Sequence, residues 1–255
     1  MREELYTEMY VLEERHWWFA ARRAIVSDLL PRYLRPPPSG RPAVADLGCG
    51  CGLLTQALGT RYNFDCVGMD ASEHSVRLCA RRGLRVERGF LPGSVPLPRD
   101  RFDAVLMLDV LEHLDEDRES AAVAASLLRV GGILVCTVPA YKWLWSPRDV
   151  HHEHRRRYSA QEFRRLFELP NLKIELFSHM NSFLFPFAAA ARLWARFRKH
   201  DASRDLHVPP EPLNTALRAV FSSERKLLPR FRLPFGLSLI AVARRVEPDA
   251  PRTVS

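Results

Sequence analysis

Several things are scarce in this 255-residue chain, and each scarcity excludes something. Long apolar runs are missing: no stretch approaches the roughly 18–20 uninterrupted apolar residues of a membrane-crossing helix. The first twenty residues hold five glutamates and no continuous apolar segment, so a secretory leader is not expected. Cysteine is sparse and unpaired. The five residues Cys49, Cys51, Cys66, Cys79 and Cys136 are odd in number and lack CxxC spacing, which favours reduced thiols in a cytoplasmic protein. The chain also has no internal repeat.

What remains is the composition of a globular protein, with 47% apolar and 27% charged residues, long enough for one domain with a modest added subdomain. The net charge of +8 is unevenly spread. Residues 1–140 carry 17 Lys/Arg against 19 Asp/Glu, a net of −2, whereas residues 141–255 carry 21 against 11, a net of +10. The basic half either meets an anionic partner (substrate, nucleic acid or membrane surface) or places its arginines on solvated faces.

The stretch Val44-Ala45-Asp46-Leu47-Gly48-Cys49-Gly50-Cys51-Gly52 organises the chain. Small apolar residues lead into a carboxylate, glycine recurs at every second position, and a helix follows at 53–60. This is the strand–turn–helix opening of an α/β domain. The pattern then alternates: a strand at 65–69 ending on Asp70, a helix at 72–82, a short strand at 84–87, a strand at 102–108 ending at Asp109, a helix at 117–129, and a Gly131-Gly132 turn into a strand at 133–138. Such alternation predicts a doubly wound parallel sheet with helices on both faces.

Around this core, residues 1–35 read as an N-terminal helical cap, with Pro31 and the run Pro36-Pro37-Pro38-Ser39-Gly40 stopping the helix. The cluster His16-Trp17-Trp18-Phe19 followed by Arg22 either packs this helix on the core or lines a ligand site. Beyond the fifth strand, Ser159 and Glu162 form a capping box for a helix at 159–168. Apolar strands at 172–177 and 237–243 pair with each other, and residues 181–235 between them form a helical insertion, a lid. The core is thus 41–180 plus 236–245, and 246–255 is a disordered tail.

The glycine spacing is G-x-G-x-G, not the dinucleotide G-x-G-x-x-G. Asp46 before it would repel a pyrophosphate and accept a ligand bearing an ammonium group. Asp70, at the end of the second strand, stands where a carboxylate accepts both hydroxyls of a ribose. Together with Phe102-Asp103-Ala104-Val105, Leu111-Glu112-His113-Leu114 and Leu128-Arg129-Val130-Gly131-Gly132-Ile133-Leu134, this ordered set resembles the class I S-adenosylmethionine-dependent methyltransferases, in particular the small-molecule type that includes the ubiquinone and menaquinone biosynthesis enzymes. The resemblance covers roughly residues 40–140. It implies a seven-stranded, mostly parallel Rossmann-like methyltransferase fold whose last strand is antiparallel. It implies S-adenosylmethionine as cofactor, its methionine end against Asp46, Gly48 and Gly50, its ribose on Asp70, its adenine beside Ala71, Phe90 and Leu91, and its methyl group bordered by Leu108 and Asp109. Phe90 departs from the acidic residue of many relatives, so stacking or backbone contacts replace a polar adenine contact.

Methyl transfer from a sulfonium needs alignment in a dry pocket, and a base only when the acceptor must lose a proton. His113 is one candidate base; it is equally suited to ordering the loop after the fourth strand. The segment 139–158 offers more, with two tryptophans, His151, His152, His154 and Tyr158. His154 with Tyr158 is the preferred acceptor pair, an arginine meeting a carboxylate or phosphate, against the alternative that this segment only packs. A metal is not expected, because Arg155, Arg156 and Arg157 flank histidines whose spacing fits no standard site. Residues 183–200, apolar then basic (Arg192, Arg196, Arg198, Lys199), suit a lid over a hydrophobic acceptor, or a peripheral membrane contact. The chain is therefore expected to methylate a small or medium organic acceptor, hydrophobic or anionic, at oxygen, nitrogen or carbon. The alternatives are a nucleic-acid methyltransferase, disfavoured by the absence of an [Asp/Asn]-Pro-Pro-aromatic turn, and a non-catalytic cofactor-binding partner subunit. Asp70→Ala should weaken cofactor binding more than about tenfold in calorimetry, the scale of losing one charge-assisted hydrogen-bonded contact; an unchanged affinity would remove the ribose assignment.

Overall fold

The computed structural model describes residues 2–35, 37, 40–197 and 208–247, with backbone only for 195–197. Helices α1 (Glu3–Arg15) and α2 (Trp17–Tyr33) come first. His16 between them is extended, and its ring accepts the Trp18 N–H, which caps α2. Pro31 does not end this helix. It lies in the last turn and forfeits only the N–H that would reach Ser27, while the Leu34 N–H closes on the Leu30 carbonyl at 2.9 Å. Of the proline linker, Pro36, Pro38 and Ser39 lie outside the described residues.

The alternating core follows as β1 (Ala43–Leu47), α3 (Leu53–Tyr62), β2 (Asp65–Asp70), α4 (Glu73–Arg81), β3 (Val86–Arg88), β4 (Phe102–Leu108), α5 (Asp117–Leu127) and β5 (Leu128–Pro139). Then come α6 (Pro147–His151), α7 (Ala160–Arg165), β6 (Leu172–Met180), α8 (Phe185–Phe197), α9 (Glu211–Ser223) and β7 (Ser238–Arg245). The capping box of Ser159 and Glu162 starts α7. The glycine pair Gly131-Gly132 is not a turn before the fifth strand. It sits inside a 12-residue strand whose pairing with β4 slips between Phe102 and Ala104, Gly131 taking φ +84° at this irregularity.

The strand order is β3-β2-β1-β4-β5-β7-β6, with parallel neighbours as far as β5 and β7 antiparallel to both β5 and β6. This is the seven-stranded, mostly parallel, doubly wound sheet. Alternate residues of one strand enter different apolar layers, because successive side chains of a strand point to opposite faces. Ala43, Ala45 and Leu47 join Val105, Met107 and Leu134 with α5 and α7, whereas Val44 joins Leu106, Val135 and Ile240 with α2, α3 and Phe221 of α9. Residues 1–35 are therefore more than a cap: Ile25, Val26, Leu29 and Leu30 of α2 are core. The insertion is likewise divided. Helix α9 packs in the same layer as α2, and Asn214 binds the backbone at Arg15 and Trp17, both at 2.9 Å.

Val246 extends the sheet pairing with its N–H on the Asn171 carbonyl at 2.9 Å, and the rest of the expected tail, 248–255, lies outside the described residues. Arg198 and Lys199 also lie outside them. All five cysteines are free thiols. Among the described residues no helix is long and apolar enough to cross a membrane.

One cation ties four elements together. The buried Arg244 guanidinium holds Glu175 through two contacts at 2.6 and 2.7 Å, the Gly131 carbonyl at 2.5 Å and the Tyr33 carbonyl at 2.7 Å. Arg244→Ala should lower stability by about 3 kcal/mol, the low end for breaking a buried ion pair. Urea denaturation would register this as an earlier midpoint at constant m-value; an unmoved midpoint would show that the four contacts are redundant.

Candidate active site

A cavity of about 600 Å³ opens at the carboxyl ends of the parallel strands, within the size range of small-molecule sites and at the edge where open α/β sheets bind ligands. One half is built around β1 and β2. Gly48, Gly50 and Gly52 have φ of +69°, +59° and +78°, which side chains rarely adopt. The close approach matters as much as the angle: a Cβ at Gly48 would lie 2.6 Å from Val110 Cγ2, and one at Gly52 would collide with Leu84 and Cys79. At Gly50 a Cβ would meet only Glu13 Oε1, at 3.8 Å, so this glycine presents bare backbone to the cavity.

Asp70 is 5% exposed and fully engaged. It accepts the Gly50 N–H at 3.0 Å, the Ser72 N–H at 3.0 Å and the Tyr6 hydroxyl at 2.9 Å. Burial pushes its carboxyl up, and these three donors oppose the shift. Asp46 is placed differently from the sequence expectation. It stands behind the glycine turn, does not line the cavity, and accepts the Thr55 hydroxyl at 2.6 Å, with burial raising it to about 6. The carboxyl that does reach the cavity near Gly50 is Glu13 of α1. It is buried, its Oε2 has no hydrogen-bond partner among the described residues, and burial lifts it to about 7 against the pull of Arg22, Arg82 and Arg23.

Ala71, Phe90, Leu91, Leu108 and Asp109 all line this half. Asp109 holds a left-handed backbone at φ +57° and is paired with Arg22, whose guanidinium lies 4.7 Å from the Trp18 ring centre and reaches the Leu108 carbonyl at 3.4 Å. Of the two readings open for the His16–Arg22 cluster, the structure favours both in part: Phe19 is buried, and Trp17, Trp18, Phe19 and Arg22 line the cavity.

The other half is built on the ends of β4, β5, β6 and β7. His154 lines it with Nδ1 3.0 Å from Asp149 Oδ1, the carboxylate oxygen that also takes Arg157 Nε at 2.8 Å. Burial would raise the Asp149 carboxyl, but His154 and Arg157 overcome it and hold the group well below the usual range. His113 meets His154 edge to face at 4.8 Å between ring centres, and burial, then His154, lowers it to about 4. Burial and Arg148 bring His152 to about 3. Tyr158 is not with them. It is buried outside the lining, its hydroxyl donating to the Leu111 carbonyl at 3.1 Å and to Asp117 at 2.8 Å, so it braces the β4 loop. Glu112 lines the cavity, is fully buried, and has both carboxylate oxygens without partners among the described residues. Donor atoms of Glu112, His113 and His154 lie within 4.8 Å of one another, close enough to share one cation, a grouping that the spacing of His151, His152 and His154 does not reveal. Arg155 and Arg156, expected to oppose a cation, turn outward to Asp115 and Asp117.

Residues 18–176 match the family described as Methyltransferase domain. The chain belongs to this family. Its cofactor is S-adenosylmethionine, and the class I resemblance is upheld. The chain is 29% identical over 135 residues to the ubiquinone biosynthesis O-methyltransferase of Cereibacter sphaeroides (strain ATCC 17025 / ATH 2.4.3), covering 46% of this chain and 54% of that one. A second relative, from Dinoroseobacter shibae, is 27% identical over 157 residues, covering 54% and 62%. The chain thus spans roughly half to three-fifths of the length of these curated relatives. Its fold is similar to that of geranyl diphosphate C-methyltransferase from Streptomyces coelicolor A3(2), with a TM-score of 0.59 at 15% identity over 87% of this chain and 78% of that one.

Tyr6, Glu13 and Asn181 escaped the sequence reading because the fold brings them to the cavity from outside the segment that carries the motifs. Only the Trp-Trp-Phe surface density pointed to the N-terminal helices. Glu13 also gives the fold a pH dependence. Its folded-state value of about 7 lies above the unfolded value near 4.5, so its contribution is fully present below that lower value and is lost as pH rises through 7. Glu13→Gln should therefore flatten the decline in unfolding free energy between about pH 5 and pH 8. Parallel declines in wild type and variant would show that Glu13 ionises normally in the folded protein.

Proposed function

We propose that this chain transfers the methyl group of S-adenosylmethionine to a small or medium-sized, largely apolar organic acceptor. The observation that carries the reading is the continuity of one cavity, which joins the bare backbone of Gly48 and Gly50 and the Asp70 carboxylate to a histidine-lined pocket roofed by α8. The first half fits the cofactor: an exposed glycine backbone, a buried carboxylate suited to ribose hydroxyls, the open edge of Phe90 for adenine, and Arg22 as the cation near the methionine carboxylate. The bound cofactor supplies an electrophilic methyl on a sulfonium. Leu108 and Asp109 border the place where it meets the acceptor, and the apolar lining of Leu114, Leu184 and Phe187 excludes water from it.

His154 is the base for an acceptor that must lose a proton. Asp149 holds its Nδ1, which leaves Nε2 as the nitrogen that takes a proton, and the Arg157 contact fixes Asp149 in turn. His113 abuts that ring and positions it. Helix α8 is the lid: Leu184, Phe187, Ala188 and Arg192 line the cavity, while Leu193 and Trp194 are exposed on its outer side, where a peripheral membrane contact would form. The relatives named as ubiquinone O-methyltransferases and the geranyl diphosphate neighbour, all named for small-molecule acceptors, support the acceptor size. The pairing of Arg155 and Arg156 with Asp115 and Asp117, which lie outside the basic half, offsets part of the positive charge that first suggested nucleic acid.

Calorimetry should show saturable binding of S-adenosylhomocysteine, and its absence would sink the reading. His154→Ala should lower turnover of any identified acceptor by about 10²–10⁴-fold, the usual worth of a general base, with S-adenosylhomocysteine affinity unchanged. Full activity would return His154 to a packing role.

A further inference from the structure

The Asp70 carboxylate is crowded. An ionised carboxylate offers about four lone-pair positions, two on each oxygen. Two of those on Asp70 are taken by the backbone around it: the Ser72 N–H donates to Oδ1 and the Gly50 N–H to Oδ2, both at 3.0 Å. Each oxygen is left with one position, and a ribose presenting both of its hydroxyls would fill the pair. The Tyr6 hydroxyl already donates to Oδ1, at 2.9 Å.

Tyr6 belongs neither to the glycine turn nor to the sheet. It comes from α1, is 6% exposed and lines the cavity. Burial, then the charge of Asp70, pushes its hydroxyl up, so it keeps its proton and meets the carboxylate as a donor. The helix that carries it is less deeply seated than α2. Helix α1 enters two small apolar clusters, Tyr6 with Cys51 and Leu78, and Leu12 with Phe19. Helix α2 gives Ile25, Val26, Leu29 and Leu30 to a main apolar layer. Polar contacts add to the hold on α1, where Arg82 reaches Glu14 at 3.0 Å and the Tyr10 carbonyl at 3.1 Å. A segment with few buried apolar contacts shifts at low cost.

We propose that the Tyr6 hydroxyl occupies a position on Asp70 that a ribose hydroxyl of the cofactor needs, so that Tyr6 and the cofactor compete for one carboxylate. This rests on the methyl-transfer reading, in which Asp70 takes the ribose. Between turnovers Tyr6 keeps the buried charge matched, since an unpaired carboxylate there would be costly. Cofactor entry then exchanges one hydrogen bond for another, and Tyr6 lowers affinity while preserving the shape of the site. S-adenosylmethionine and S-adenosylhomocysteine carry the same ribose. The return of Tyr6 to Asp70 therefore favours release of the spent cofactor as much as it opposes entry of the next.

Calorimetry on wild type and Tyr6→Phe, with S-adenosylhomocysteine and its 2′-deoxy and 3′-deoxy forms as probes, tests the competition. Tyr6→Phe keeps the ring in its cluster and removes only the hydroxyl. It should bind S-adenosylhomocysteine about tenfold more tightly, the low end for a hydrogen bond to a charged group. The gain should vanish for the deoxy form that lacks the hydroxyl directed at Oδ1 and persist for the other. Unchanged or weaker binding of S-adenosylhomocysteine by Tyr6→Phe overturns the assignment, weaker binding meaning that Tyr6 supports the cofactor. An equal gain for all three probes overturns it too, because it would mark a general loosening of α1. If S-adenosylhomocysteine binds neither protein, the methyl-transfer reading fails instead.

Discussion

The ligand edge of this protein hangs on one carboxylate. Asp70 takes donors from three separate pieces of chain: the glycine turn through Gly50, the start of α4 through Ser72, and α1 through Tyr6. Each bond would be modest in water, but here all converge on one buried charge, where hydrogen bonds to an ion are stronger and their loss is costlier. The glycine turn owes its position to this arrangement as much as to its own flexibility. Positive φ permits the path; the bond from Gly50 to Asp70, with the Gly48 N–H on the Met69 carbonyl at 2.7 Å, selects it.

The two halves of the cavity meet at the end of β4, and the chemistry changes there. On the side of the glycine turn two carboxyls are matched, Asp70 by its donors and Asp109 by Arg22, while Glu13 keeps one oxygen without a partner among the described residues. On the other side, beside the matched set of His154, Asp149 and Arg157, burial disfavours the charged forms of His113, His152 and Glu112. Asp109, in a left-handed conformation at the boundary, turns the chain from one environment into the other.

Sequence alone revealed the half of the structure that depends on local rules. Central parallel strands are buried on both faces, so β1 and β4 read as continuous apolar runs, and their bounds fall where the composition places them. The glycine spacing located the left-handed turn at Gly48, Gly50 and Gly52. What stayed hidden depends on distant partners. Pro31 was overruled because α2 is pressed onto the sheet by Ile25 and Leu29. Asp46 looked like the ligand carboxylate until Thr55, one helical turn into α3, was seen to occupy it. Tyr158 looked available to an acceptor, yet its hydroxyl is spent on Leu111 and Asp117, more than forty residues earlier in the chain.

The placement of β7 between β5 and β6 governs how the protein can be made. Strand β6 has β7 as its sheet neighbour, and β5 keeps an open edge until β7 fills it. A nascent chain can pair β1 through β5 as they emerge, but the sheet cannot close until residues 238–245 have left the ribosome. Until then the apolar β5 edge, Ile133 to Val138, is a template for pairing with other chains. Chains that stop before residue 238 would lack the strand that joins the five strands β1 to β5 to β6. The arrival of β7, more than the formation of the glycine turn, is the step at which this sheet closes.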